Sequence, residues 1–294
     1  MAVGPVLAAA LDTRWQSYRK QLRHCQEQFS EEAVHQLRVA ARRLLAQFTL
    51  LSCVAPSPAL ERARRILKRR LAALGDLRDA QVQRLFIEQK AVSFPELVLL
   101  RGWFKRRERR LARSAAEKVN RFKTRKLESW VSAMIESLTA NARKSRVQSL
   151  LASAVLSAAA QAFAEAVERR RAIDLADLRT IHQTRVAFKR FRYTVESLSP
   201  DITGLSKRQL RALAFYQRKM GIIQDLEVMR DCVTRYTRGD KEREALLQRF
   251  SRHLRQRRTR ALQSFLKSAD RLFDFWPPAA LAARDEAVRA RNAA

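Results

Sequence analysis

The sequence predicts an all-α fold, and three observations carry that prediction. Turn formers are scarce: 294 residues contain only 6 glycines and 7 prolines, well short of what the loops of a sandwich or barrel require. Hydrophobic residues still make up 47% of the chain, which supplies a sizeable core and excludes a disordered basic tail. The breaks are also far apart. They fall at Pro56-Ser57-Pro58, Gly75, Pro95, Asn141, Pro200 to Gly204, Gly221, Gly239 and Pro277-Pro278, and the segments between them have helical length and period.

Each segment has its own local reason. Val3 to Leu11 is apolar, no basic stretch precedes it and Asp12-Thr13-Arg14 follows, so it reads as the start of a core helix and not as a signal peptide. Ser30-Glu31-Glu32 offers an N-cap and two acids against the positive helix end, opening the helix that carries His35. Ser57-Pro58 opens the next, with a capping hydroxyl and a proline at the first helical position. Gly75 is expected to close it with a left-handed residue. A long basic helix covers Arg101 to Arg113, interrupted by Glu108. Beyond Asn141 comes a second apolar helix, then one carrying His182. Ser206 caps a helix beginning at Lys207, Gly221 is expected to end it, and Arg252 to Arg260 form a second long basic helix. No uninterrupted apolar run reaches 18 residues, so no transmembrane helix is expected. Cys25, Cys53 and Cys232 are odd in number and occur in no CxxC or CxxH spacing, which argues against a disulfide framework or zinc site. They suit a reducing cytoplasm, and each is expected to pack as a small apolar residue.

A repeat runs through this order. His35-Gln36-Leu37-Arg38-Val39-Ala40-Ala41-Arg42-Arg43 recurs as His182-Gln183-Thr184-Arg185-Val186-Ala187-Phe188-Lys189-Arg190. At the same separation, to within one residue, Leu74-Gly75-Asp76-Leu77-Arg78-Asp79 recurs as Met220-Gly221-Ile222-Ile223-Gln224-Asp225. The expectation is a duplication with halves of about 1–143 and 144–294.

Charge is the other dominant feature. Lys and Arg total 60 against 29 Asp and Glu, a net +31. An excess of that size destabilises a compact state through self-repulsion unless a polyanion answers it. On a helical wheel His35, Arg38 and Arg42 share a sector of about 60°, opposite Leu37, Leu44, Phe48 and Leu51. His182, Arg185, Lys189 and Arg192 form a similar row opposite Phe188, Phe191, Val195 and Leu198, with Arg43 and Arg190 flanking the two rows. Arg64, Arg65 and Lys68 cluster on the next helix of the first half; Lys207, Arg211 and Arg218 cluster on that of the second. Ordinary surface helices mix signs, because like charges at this spacing repel.

Rows of this kind present forks and point charges to phosphate oxygens. A nucleotide site would call for a glycine-rich loop at a helix start, and no GxGxxG or GxxxxGK[ST] is present. Base reading would add stacking aromatics among the cations, and only Tyr193 lies in either row. His35 and His182 are read as phosphate donors whose pKa the adjoining cations lower. Asp79 and Asp225, the repeated acids, are read as helix caps or partners that orient an arginine. No cofactor and no metal site are expected, and neither HExxH nor a Ser/His/Asp pattern is present to suggest an enzyme.

The motifs His35-x-x-Arg38-Val39-x-x-Arg42-Arg43, His182-x-x-Arg185-x-x-x-Lys189-Arg190-x-Arg192-Tyr193 and Leu74-Gly75-x-x-Arg78-Asp79 resemble the CHAD family, histidine α-helical domains that bind inorganic polyphosphate. The second Gly221…Asp225 segment with Gln217 before it fits the same pattern. The resemblance implies one CHAD-like domain over 1–294, built as two pseudo-symmetric helical bundles around a basic groove or pore. It further implies non-catalytic polyphosphate binding and a cytoplasmic place at polyphosphate granules, with no membrane. The alternatives carried beside it are a nucleic-acid-binding protein gripping phosphate backbones and a metal-dependent phosphohydrolase. Leu45 stands where the family pattern usually has another arginine, and Ala214 replaces the cation corresponding to Lys68. The second half is therefore expected to contribute more to binding.

Overall fold

The computed structural model describes residues 2–277 apart from Asn141 and Ser199. The breaks expected at Asn141 and Pro278 lie outside the described residues. Among the described residues the secondary structure is helical and contains no strand. In order the helices are α1 (Val3–Glu27), α2 (Glu31–Val54), α3 (Pro58–Ala73), α4 (Gly75–Lys90), α5 (Val98–Asn120), α6 (Arg125–Ala140), α7 (Ser145–Arg171), α8 (Arg179–Glu196), α9 (Pro200–Thr203), α10 (Lys207–Thr237), α11 (Lys241–Leu246) and α12 (Gln248–Leu266). Short 3₁₀ segments occur at Pro95–Leu97 and Ala269–Phe275.

The capping signals act as read. Ser30 accepts from the Ala33 amide and Ser57 from that of Leu60. Ser206 forms a reciprocal box with Gln209. The two glycine expectations fail. Leu74 alone separates α3 from α4, and Gly75 begins the new helix. Gly221 lies mid-way along α10, which runs unbroken for 31 residues. Left-handed backbone occurs instead at Gly204 (φ 68°) and Gly239 (φ 78°), in the loops around α9 and after α10. Gly221 lies beside Arg185: a Cβ there would sit 3.6 Å from its Nε, an ordinary contact distance.

The apolar interior divides into three clusters. The first gathers α1, α2 and α3 with parts of α5, α6 and α7, including Tyr18, Phe48 and Leu67. The second gathers α7, α8 and the start of α10 around Phe188, Phe191 and Tyr216. The third is drawn from both sides of residue 141: Ile87, Phe94, Leu100 and Phe104 pack with Leu226, Met229, Phe250 and Leu254. α7 runs against α8, α1 and α2 and serves the first two clusters. It holds an 18-residue window of mean hydropathy 1.6, long and apolar enough to cross a membrane by length and composition alone, with serines and a glutamine interrupting the alanines.

Two of the three cysteines pack as expected. Cys25 and Cys232 are buried, and burial pushes the Cys25 thiol up to about 11. Cys53 corrects the expectation: it is exposed in the last turn of α2, its thiol donating to Thr49 O at 3.4 Å. Glu108, the acid within the long basic helix, faces α4 and accepts from Arg84 Nε. Arg84 also holds Glu88 Oε2 at 2.5 Å and Glu31 Oε2 at 2.6 Å, tying α2, α4 and α5 together.

Candidate functional site

α2 and α8 meet, and their cation rows face one another. The phenylalanines opposite each row explain this. Phe48 anchors α2 in the first cluster, and Phe188 and Phe191 anchor α8 in the second, so each helix turns its basic side toward the line between the clusters. The result is a cluster of converging cations, Arg38 and Arg42 from α2 and Arg185, Lys189 and Arg192 from α8.

The electrostatics record this crowding. Arg38 is only 6% exposed and donates from Nη1 to Leu71 O at 2.9 Å, at the end of α3. Burial, then repulsion from Arg42, lowers its pKa to about 10, with Asp79 partly opposing. Lys189 is pushed down to about 7, first by burial and then by Arg42, Arg185, Arg192 and Arg38. Two of those four neighbours belong to α2, so the rows converge. Among the described residues, Arg38, Arg42, Arg185 and Lys189 have no carboxylate within 4.0 Å, and the buried Arg185 Nε has no hydrogen-bond partner. Four cations held together with no carboxylate in ion-pair reach form a site shaped for an anion.

The rim is more polar. His35 stands at the α2 end, its pKa lowered by burial first and then by Arg78, with Glu32 opposing. His182 places Nδ1 2.7 Å from Gln224 Oε1, which leaves Nε2 as the ring atom open to solvent. Arg192 donates to Gln217 Oε1 at 2.8 Å and to Glu196 Oε1 at 2.9 Å, so it arrives already partnered. Lys189 and Arg192 lie over the Tyr193 ring, 5.6 and 4.6 Å from its centroid.

Asp79 and Asp225 are not helix caps, but each lies within the field of an arginine. Both sit inside helices, where no capping position exists, and among the described residues neither ion-pairs within 4.0 Å. Asp79 acts on Arg38, and Asp225 on Arg185 and on Asp79, so the two repeated acids come together at one place in the cluster. Asp225 reaches solvent, yet the protein packed around its carboxyl raises its pKa; Arg185 pulls it back and Asp79 adds to the rise. Among the described residues no group of three or more His, Cys, Asp and Glu is placed to hold a metal.

Other residues singled out from the sequence lie elsewhere. Arg43 lines a cleft against α1 with Arg14 and Glu196. Arg190 turns to α7, where it pairs with Glu165 at 2.8 Å. Arg64 pairs with Glu61 at 2.5 Å and reaches Ser52 of α2, while Arg65 and Lys68 line a separate groove against α6. Lys207, Arg211 and Arg218 are exposed on α10. The α10 side chains that hydrogen-bond to the α8 row are Gln217 and Gln224, on Arg192 and His182. Their signal was present in the sequence as a seven-residue spacing on the face that carries Gly221.

The family model for the CHAD domain matches residues 7–234. The fold is similar to the crystal structure of the CHAD domain from the plant Ricinus communis, at TM-score 0.63 and 20% identity, covering 94% of this chain and 91% of that one. It is also similar to PptA from Streptomyces chartreusis, at TM-score 0.58 and 16% identity, covering 91% and 99% of the two chains. No curated protein matches the sequence.

Proposed function

The chain belongs to the CHAD domain family, and from that premise, together with the cations that converge between α2 and α8, we propose that this junction is a groove that binds inorganic polyphosphate without catalysing its breakdown. One observation carries this reading: Arg38, Arg42, Arg185 and Lys189 converge from two helices with no carboxylate in ion-pair reach among the described residues, and Lys189 is pushed down to about 7. A row of phosphates supplies the missing charge along the length of the groove, which a single compact anion would not. Base recognition has little purchase here, because the Tyr193 ring is covered by Lys189 and Arg192. Hydrolysis would need a positioned base or a metal to activate water, and we assign that role to none of these residues. The same reading puts the protein in the cytoplasm, at polyphosphate granules.

Direct titration with long-chain polyphosphate, RNA and duplex DNA at several salt concentrations tests the proposal. Affinity for polyphosphate should exceed that for either nucleic acid and fall linearly in log K against log salt, as counterion release dictates. Charge-assisted hydrogen bonds contribute about 1.5–3 kcal/mol each, so Arg38→Gln with Arg185→Gln should lower affinity by about two to four orders of magnitude. Equal or tighter binding of RNA in the same buffer would sink the reading. So would release of orthophosphate in proportion to purified protein and lost in His182→Ala.

A further inference from the structure

Most of the α3 cations do not serve the α2–α8 groove. α3 buries Leu60, Ala63 and Leu67, and its basic residues divide to either side of that stripe. Arg64 lies on the α2 side, near Ser52. The other flank faces α6 across a groove of about 1200 Å³ whose lining includes Arg62, Arg65, Lys68, Arg69, Arg125 and Lys126. All six are exposed, and no acid lines the groove. The nearby acids are engaged elsewhere: Glu61 of α3 holds Arg64 and Glu128 of α6 holds Arg19, the latter at 2.7 Å. Trp130 forms part of the wall. Its indole packs against the first apolar cluster and carries the Arg62 guanidinium 5.6 Å from the ring centroid. The ring therefore orients a cation and offers no open platform to a base.

We propose that the α3–α6 groove is a second segment of the phosphate path, filled by chains long enough to leave the α2–α8 groove and cross α3. This rests on the reading of the first groove given above. The two sites share a wall: Arg38 of the first groove is bonded to Leu71 O on α3, Arg64 faces α2, and Lys68, one turn on, lines the second groove. The ligand is a linear polyphosphoryl chain. Bound at one groove, it meets the other at a high effective concentration, so chain length sets affinity.

The test compares Arg69→Gln/Arg125→Gln/Lys126→Gln with Arg38→Gln/Arg185→Gln, using short-chain and long-chain polyphosphate and single-stranded RNA. The first set changes only exposed side chains, and circular dichroism checks that both variants stay helical. The α3–α6 variant should bind short chains like wild type, lose about tenfold or more on long chains, and flatten the salt slope by about 2. The α2–α8 variant should lose short-chain binding and keep residual long-chain binding. Equal losses on both lengths, or none on long chains, overturn the inference. A loss confined to RNA also overturns it, making the groove a nucleic-acid surface. If wild type binds neither length, the reading of the first groove falls with it; if wild type binds both and the α3–α6 variant is unaffected, only this inference falls.

Discussion

Lys189 should couple polyphosphate binding to proton uptake. In the free protein burial, and after it crowding by Arg42, Arg185, Arg192 and Arg38, holds its pKa at about 7. Phosphates laid along the groove reverse the sign of that local field, so the bound-state pKa returns toward that of an ordinary lysine. Between pH 7 and pH 9 binding must then take up a proton. Affinity falls as pH rises, by at most tenfold per unit, which amounts to about 2.7 kcal/mol over two units. Residual solvent around the site reduces this, and about one decade is expected in moderate salt. Apo stability moves the other way: the folded pKa lies below the unfolded one, so the unfolded chain holds the extra proton and the fold gains stability as pH climbs through 7. Calorimetric titrations in buffers of different ionisation enthalpy read the uptake directly, near half a proton at pH 7 and approaching one at pH 8.5. Lys189→Met should abolish the pH dependence and lower affinity at pH 7 far more than at pH 9. That variant also subtracts whatever His35, Asp79, Asp225 and the chain ends contribute. Zero uptake at pH 8.5, or a wild-type pH profile that survives in Lys189→Met, refutes the reasoning.

Arg42→Gln should weaken short-chain binding more than Arg192→Gln, because Arg192 is already bonded to Glu196 and Gln217; dissociation constants for the two variants in one buffer decide it. Gly4→Ala should destabilise the fold by about 1–3 kcal/mol, since a methyl there overlaps the backbone oxygen of Leu138 and crowds Gln148, which accepts from the Gly4 amide at 2.7 Å; thermal denaturation reads the loss. Gly221→Ala should do the reverse and raise stability by up to about 1 kcal/mol, as the position is helical and its new methyl meets Arg185 at ordinary contact distance. A lowered melting temperature in Gly221→Ala would show that the bare backbone there is required.

The row residues are legible because helical period alone puts Arg42 opposite Leu44, and Lys189 opposite Phe191. Period cannot say which helix a row will face. Arg43 and Arg190 lie about 80° from their rows' leading histidines, and that is enough to hand one to α1 and the other to Glu165 on α7. The expected imbalance between the two rows was drawn from counting cations. Leu45, counted as a missing charge, packs against the first apolar cluster, while the extra charge at Arg192 is spoken for by Glu196. Each row therefore supplies two cations that lack a carboxylate partner among the described residues. The capping serines were readable because a cap is a local contract among four residues. Gly221 lies in a helix interior because the packing of α10 on α8 and α12 overrides the local glycine signal, which sequence alone cannot weigh.

The third apolar cluster also governs how the chain is made. Ile87, Leu100 and Phe104 leave the ribosome long before Leu226, Met229, Phe250 and Leu254, the residues that cover them. Until the last turns of α10 and the start of α12 emerge, the nascent chain carries a naked hydrophobic face on α4 and α5, a state prone to aggregation and suited to chaperone holding. Contacts between such distant positions close slowly. Synthesis halted near residue 143 would thus leave the apolar faces of α4 and α5 without their cover, and the meeting of Arg38 with Lys189 waits for α8 to emerge.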